Sequence, residues 1–155
     1  MSRIPPRNYQ FWGRHLMASF GGCDENALRD DHALLRLLKS AARDSGATVI
    51  GTIHHHFLPS GFTGVVLLAE SHASIHTYPE HRSCFVDLFT CGSRCDPAKF
   101  TETLTAYLRP TITHDEMIIR SLNEHFPIPN GADRHQRLHT AFGNVTEDRD
   151  STGQS

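Results

Sequence analysis

The pair Glu70-Ser71, with Thr63 ahead of it and His76 five residues after the serine, could carry out chemistry on its own backbone. A serine hydroxyl can attack the preceding carbonyl where the backbone is strained, exchanging the amide for an ester. Loss of the Ser71 α-proton would then expel the Glu70 carboxylate by β-elimination, and hydrolysis of the dehydroalanine would leave a pyruvoyl group. These steps need a base near the α-carbon, and hydroxyls or backbone donors around the tetrahedral intermediate. His76, expected across a turn from Ser71, is the candidate base, since a neutral imidazole can take that proton. Thr63 is the candidate hydroxyl.

Taken singly, each residue has an ordinary reading. Ser71 is a turn serine, His76 and Thr63 are strand residues, and Cys91 is a small buried hydrophobe. Cys91 and Cys95 are spaced like half of a metal site, and the run His54-His55-His56, in a chain with 12 histidines, invites zinc. Strand alternation sends His54 and His56 to the face opposite His55, which argues against one shared ion. No metal is expected.

The elements that must position these residues follow from periodicity and turn chemistry. Leu16, Ala18 and Phe20 alternate in a first strand, Gly13 to Gly22. Leu34, Leu37, Leu38, Ala41 and Ala42 recur at helical spacing within a helix from about Asp24 to Ser45, with Gly46 as its C-cap. Residues 48–57 and 64–69 are β-rich and flank Pro59-Ser60-Gly61, which predicts a hairpin. Further strands are expected at 74–77 and 84–90, a helix from Asp96-Pro97 to Arg109-Pro110, and a last strand at 114–121.

This order predicts an α+β two-layer sandwich: an antiparallel sheet with helices packed on one face. The other sheet face needs cover, and a homodimer would supply it. Residues 1–11 are expected to be a tail, 12–125 the domain, and 126–155 a mobile polar tail.

The 155 residues suffice for one domain with a core, and a formal net charge of -2 comes without any basic run that could track a phosphate backbone. Nucleic acid is not an expected partner. The opening residues carry prolines and charges where an export or membrane segment would be apolar, so a cytoplasmic protein without a membrane contact is expected. Its four cysteines then read as reduced thiols.

Three ordered blocks in residues 67–92 bear on function: Glu70-Ser71-His72, then Ile75-His76-Thr77 with an aromatic and Pro79-Glu80, then Asp87-Leu88-Phe89-Thr90-Cys91-Gly92. Through them, and through Gly13-Arg14-His15, Gly46-Ala47-Thr48-Val49 and Gly61-Phe62-Thr63-Gly64-Val65-Val66, the chain resembles the bacterial and archaeal S-adenosylmethionine decarboxylase proenzymes over roughly residues 12 to 120. The resemblance implies self-cleavage between Glu70 and Ser71, with the two products staying associated. Ser71 would become a covalent pyruvoyl cofactor that takes the substrate amine as a Schiff base and serves as electron sink. It also implies that His76 is the processing base, Thr63 a processing aid and Cys91 the proton donor. Phe57 and Glu80 would contact the small-molecule substrate, Phe57 by stacking on an adenine ring. Decarboxylated S-adenosylmethionine is the aminopropyl donor for spermidine.

The chain departs from the family at Tyr78, where Trp is common, and at His81-Arg82-Ser83-Cys84 in place of a Tyr-Gly-Tyr-Ala-like stretch. Three alternatives stay open at this point: the same cofactor acting on ornithine or arginine, a non-catalytic relative that keeps the fold for binding, and a His-rich metal-binding protein.

Overall fold

The structure is a computed structural model that describes residues 11–121 and the short strand His135–Gln136. Strand β1 (Trp12–Gly21) leads into two helices, α1 (Glu25–Arg29) and α2 (Asp31–Asp44). Strands β2 (Val49–His56), β3 (Phe62–Leu68) and β4 (Ser71–Tyr78) follow. A 3-10 turn at Pro79–His81 and strand β5 (Ser83–Cys91) then lead to helix α3 (Pro97–Leu108), and strands β6 (Ile112–Ser121) and β7 (His135–Gln136) complete the fold. The strands form one sheet in the order β2-β3-β4-β5-β1-β6-β7, with every ladder antiparallel.

Alternation gives the sheet two different faces. Leu16, Ala18 and Phe20 of β1, Phe62, Val66 and Leu68 of β3, Ala73 and Ile75 of β4, and Val86 and Leu88 of β5 are buried. Against them lie Leu34 and Leu38 of α2 and Phe100, Leu104 and Leu108 of α3, all within one core. The helices therefore occupy one face, as expected for a two-layer α+β sandwich. On the other face Ile53, Leu67, Phe85 and Ile112 are exposed apolar side chains.

The single helix expected over residues 24 to 45 is broken at Asp30, which has φ -93° and ψ 83°. Its carboxylate accepts from the Ala33 backbone N–H at 2.9 Å, and Asp24 caps α1 in the same way through Asn26 and Ala27. Short acidic side chains compete with the helix for its own backbone donors, and here that competition starts a second helix. The end of α2 matches the expectation. Gly46 takes φ +91°, its N–H bonds the Arg43 carbonyl, and the Ala47 N–H bonds the Ala42 carbonyl; glycine adopts that left-handed backbone without a side-chain clash.

Asp96 caps α3 and Pro97 opens it. Strand β4 is longer than its expected core of residues 74–77 and begins at Ser71 itself. The tails expected at 1–11 and 126–155 lie outside the described residues, apart from Phe11 and the β7 pair, whose backbone meets β6 at Met117 and Ile118.

Candidate active site

Ser71 is the first residue of β4 and pairs with Thr90 of β5. Its φ of 157° lies at the edge of a region sparsely populated by residues that carry a Cβ. The carbonyl before it accepts from the Cys91 backbone N–H at 3.0 Å. The Glu70 carboxylate turns away into a buried position, where it accepts from the Thr48 N–H at 2.8 Å and the Thr48 hydroxyl at 3.2 Å. The Glu70 carbonyl, the Ser71 hydroxyl and a backbone donor are thus brought together where β4 pairs with β5.

Cys91 ends β5 opposite Gly13 of β1. A Cβ on Gly13 would lie 2.5 Å from the Phe89 ring, so the glycine makes room for that ring. Phe89 sits under the Arg120 guanidinium at 4.6 Å, with His15 and His72 rings 5.5 and 5.8 Å away. Cys91 is half-buried, whereas Cys23, Cys84 and Cys95 are buried. Burial, and after it the nearby Glu70 charge, pushes the Cys95 thiol up from its ordinary value. Cys23 and Cys84 share a hydrogen bond that pushes Cys23 down, and the same bond together with burial pushes Cys84 far up.

A second cluster lies further along the same sheet face. Thr63 of β3 is directly opposite His76 of β4, and its hydroxyl is 2.5 Å from His76 Nδ1. Phe57 stands edge-on to the His76 ring at 5.7 Å, and Tyr78 does so at 4.6 Å. Glu80 is exposed in the turn that follows Tyr78. Between the clusters, Asp87 accepts from the Ser74 hydroxyl at 3.2 Å and lies 3.4 Å from His15 Nε2.

The structure therefore brings Ser71, Glu70 and Cys91 together, and separately brings Thr63, His76 and Phe57 together, with Glu80 beyond them. It does not place His76 across a turn from Ser71. Both belong to one uninterrupted strand, and five residues at about 3.3 Å each put them about 16 Å apart. Regular strand geometry, unlike the turn assumed from sequence, carries the chain straight from one cluster to the other. Three groups near the clusters were not singled out from the sequence: the Cys91 N–H, because backbone donors have no sequence signature, Asp87, and the His72 side chain, whose Nδ1 is 3.1 Å from the Ser71 hydroxyl. The adjacency of His72 to Ser71 was the available signal for the last.

His54 and His56 do lie on the helix side, beside Phe62 and Asp31 respectively, while His55 meets Phe57 on the other side. Among the described residues no group of three or more His, Cys, Asp or Glu side chains is placed to hold a metal. Among them, too, no helix is long and apolar enough to cross a membrane.

A seven-stranded sheet covered by helices on one face, with a strained serine and a histidine-threonine pair held by adjoining strands, defines an α+β sandwich whose candidate site is built on the sheet itself. Residues 14–121 match the family model described as S-adenosylmethionine decarboxylase, and the chain belongs to that family. It is 44% identical over 102 residues, 66% of this chain and 78% of the relative, to the S-adenosylmethionine decarboxylase proenzyme of Thermotoga petrophila. It is 38% identical over 120 residues, 77% of this chain and 92% of the relative, to the proenzyme of the same name from Thermosipho melanesiensis. The crystal structure of the adenosylmethionine decarboxylase from Aquifex aeolicus superposes with a TM-score of 0.69 at 32% identity, covering 76% of this chain and 97% of that one.

Proposed function

We propose that this chain is a proenzyme that cuts itself between Glu70 and Ser71 and then decarboxylates S-adenosylmethionine, giving CO2 and the aminopropyl donor for spermidine, in the cytoplasm. The observation that carries the cleavage is the Glu70 carbonyl held at 3.0 Å by the Cys91 N–H beside the Ser71 hydroxyl. Attack by that hydroxyl forms the O–C bond and puts negative charge on the Glu70 oxygen, where a backbone donor already waits. Collapse breaks the C–N bond and leaves an ester. Removal of the Ser71 α-proton by His76 then expels the Glu70 carboxylate, and hydrolysis with loss of ammonia completes the pyruvoyl group.

The residues around Ser71 suit such a group, because the head of β4 has its carbonyl donor and a half-buried thiol on the neighbouring strand. A pyruvoyl group there supplies an electrophilic carbonyl that draws off the electrons released with CO2. Cys91 returns a proton to the substrate α-carbon, Thr63 steadies the His76 ring during processing, and Phe57 and Glu80 bind the substrate. Family membership supports S-adenosylmethionine over ornithine or arginine.

The products, residues 1–70 and 71–155, stay together because they interleave. In the sheet order, β4, β5 and β6 of the second product alternate with β3 and β1 of the first. The separation of the two clusters along β4 leads to a dimer in which two copies stack through their exposed apolar faces. Two-fold, antiparallel stacking brings Thr63 and His76 of the partner subunit to Ser71.

Intact mass under denaturing conditions, followed by CO2 release from labelled S-adenosylmethionine, ornithine and arginine, tests the reading. Two fragments split at Glu70/Ser71 and CO2 from S-adenosylmethionine are expected. A single uncut chain without CO2 release would overturn it.

A further inference from the structure

Cleavage begins with a serine hydroxyl, a weak nucleophile that must lose its proton as it attacks. His76 cannot take that proton within its own chain, and the α-proton is a separate demand on it. Outside the backbone, the ring that meets the Ser71 hydroxyl is that of the next residue, with His72 Nδ1 at 3.1 Å. Side chains of neighbouring strand residues normally point to opposite faces. Here the positive φ of Ser71 accompanies their meeting.

The His72 ring has a fixed support. Gly13 leaves room for Phe89, Arg120 covers the Phe89 ring, and Phe89 meets His72 at 5.8 Å with the rings inclined at 56°. Within one chain the histidine side chain is otherwise exposed, and shortening it to alanine leaves a ring-sized space beside Phe89.

We propose that His72 is the catalytic residue that relays the proton in the first step of self-cleavage, an inference that rests on the processing reading above. With its ring proton on Nε2, the imidazole accepts the Ser71 hydroxyl proton at Nδ1 as the oxygen bonds to the Glu70 carbon. When the C–N bond breaks, Nδ1 hands that proton to the departing Ser71 nitrogen. The net result is one ester and one free amine, with His72 returned to its starting state and no outside reactant consumed.

The test follows cleavage over time in freshly translated chains by denaturing mass spectrometry, for wild type, Ser71→Ala, His72→Phe and His72→Ala. Phenylalanine keeps a ring against Phe89 but has no proton acceptor, and its melting temperature reports whether the fold is intact. Cleavage at least tenfold slower than wild type is expected in a folded His72→Phe chain, together with acceleration of the His72→Ala chain by added imidazole. Wild-type cleavage rates in His72→Phe, or a slow His72→Ala chain that imidazole fails to speed, would overturn the role of His72 while leaving self-cleavage standing. A wild-type chain that stays whole, like Ser71→Ala, would overturn self-cleavage and this inference with it.

Discussion

If two copies share each site, a pair of chains that cannot cut themselves should restore cleavage to one another. Ser71→Ala lacks the nucleophile and His76→Ala lacks the base. Within one chain the two positions are separated by five residues of continuous β4, about 16 Å, whereas proton transfer needs contact at about 3 Å. The base must then come from the second copy. Co-expressed in equal amounts with different affinity tags, the two variants pair at random and place about half of all dimers in the mixed state. Each mixed dimer holds one complete site, in which Ser71 of the His76→Ala chain meets the intact histidine of the other. About half of the His76→Ala chains, about a quarter of all chains, should be cut. Intact mass of each tagged chain measures this fraction. A mixture showing no more cleavage than His76→Ala alone, beside a wild type that is fully cut, would refute the shared site.

Cys91→Ala should still be cut, because the donor to the Glu70 carbonyl is the Cys91 backbone N–H, while turnover drops on the order of a hundredfold through loss of the proton donor; normal CO2 release would remove the thiol from the mechanism. Brief alkylation of the native protein should label Cys91 and spare Cys23, Cys84 and Cys95, which are buried, and peptide mass mapping reads the order. The Asp24 carboxyl is held below the usual carboxylate range, first by the Ala27 backbone N–H, against an opposing effect of burial, with help from the Arg109 charge. Its folded-state pKa is depressed, so its stabilising contribution is fully present above about pH 4 and is lost as pH falls through the lower folded value. The melting-temperature gap between wild type and Asp24→Ala should therefore be open at pH 6 and close in acid; a gap independent of pH would contradict the assignment.

Apolar periodicity with turn and cap chemistry located all six longer strands and helix α3, because a two-layer sandwich needs one apolar face on every element and the repeat of 2 or 3.6 marks that face. It also assigned His54 and His56 to one side of β2 and His55 to the other. The order of Glu70-Ser71, His76 and Cys91 was legible for the same kind of local reason, since each belongs to a short contiguous motif. What the sequence left undecided depends on contacts between distant segments. The break at Asp30 is a contest between a side chain and the helix backbone that composition does not resolve. The donor on the Glu70 carbonyl exists because β5 lies beside β4, and the 16 Å between Ser71 and His76, about five strand residues, exists because β4 runs straight. Residue types determined which chemistry the chain can attempt; strand register decided which groups stand close enough to share it.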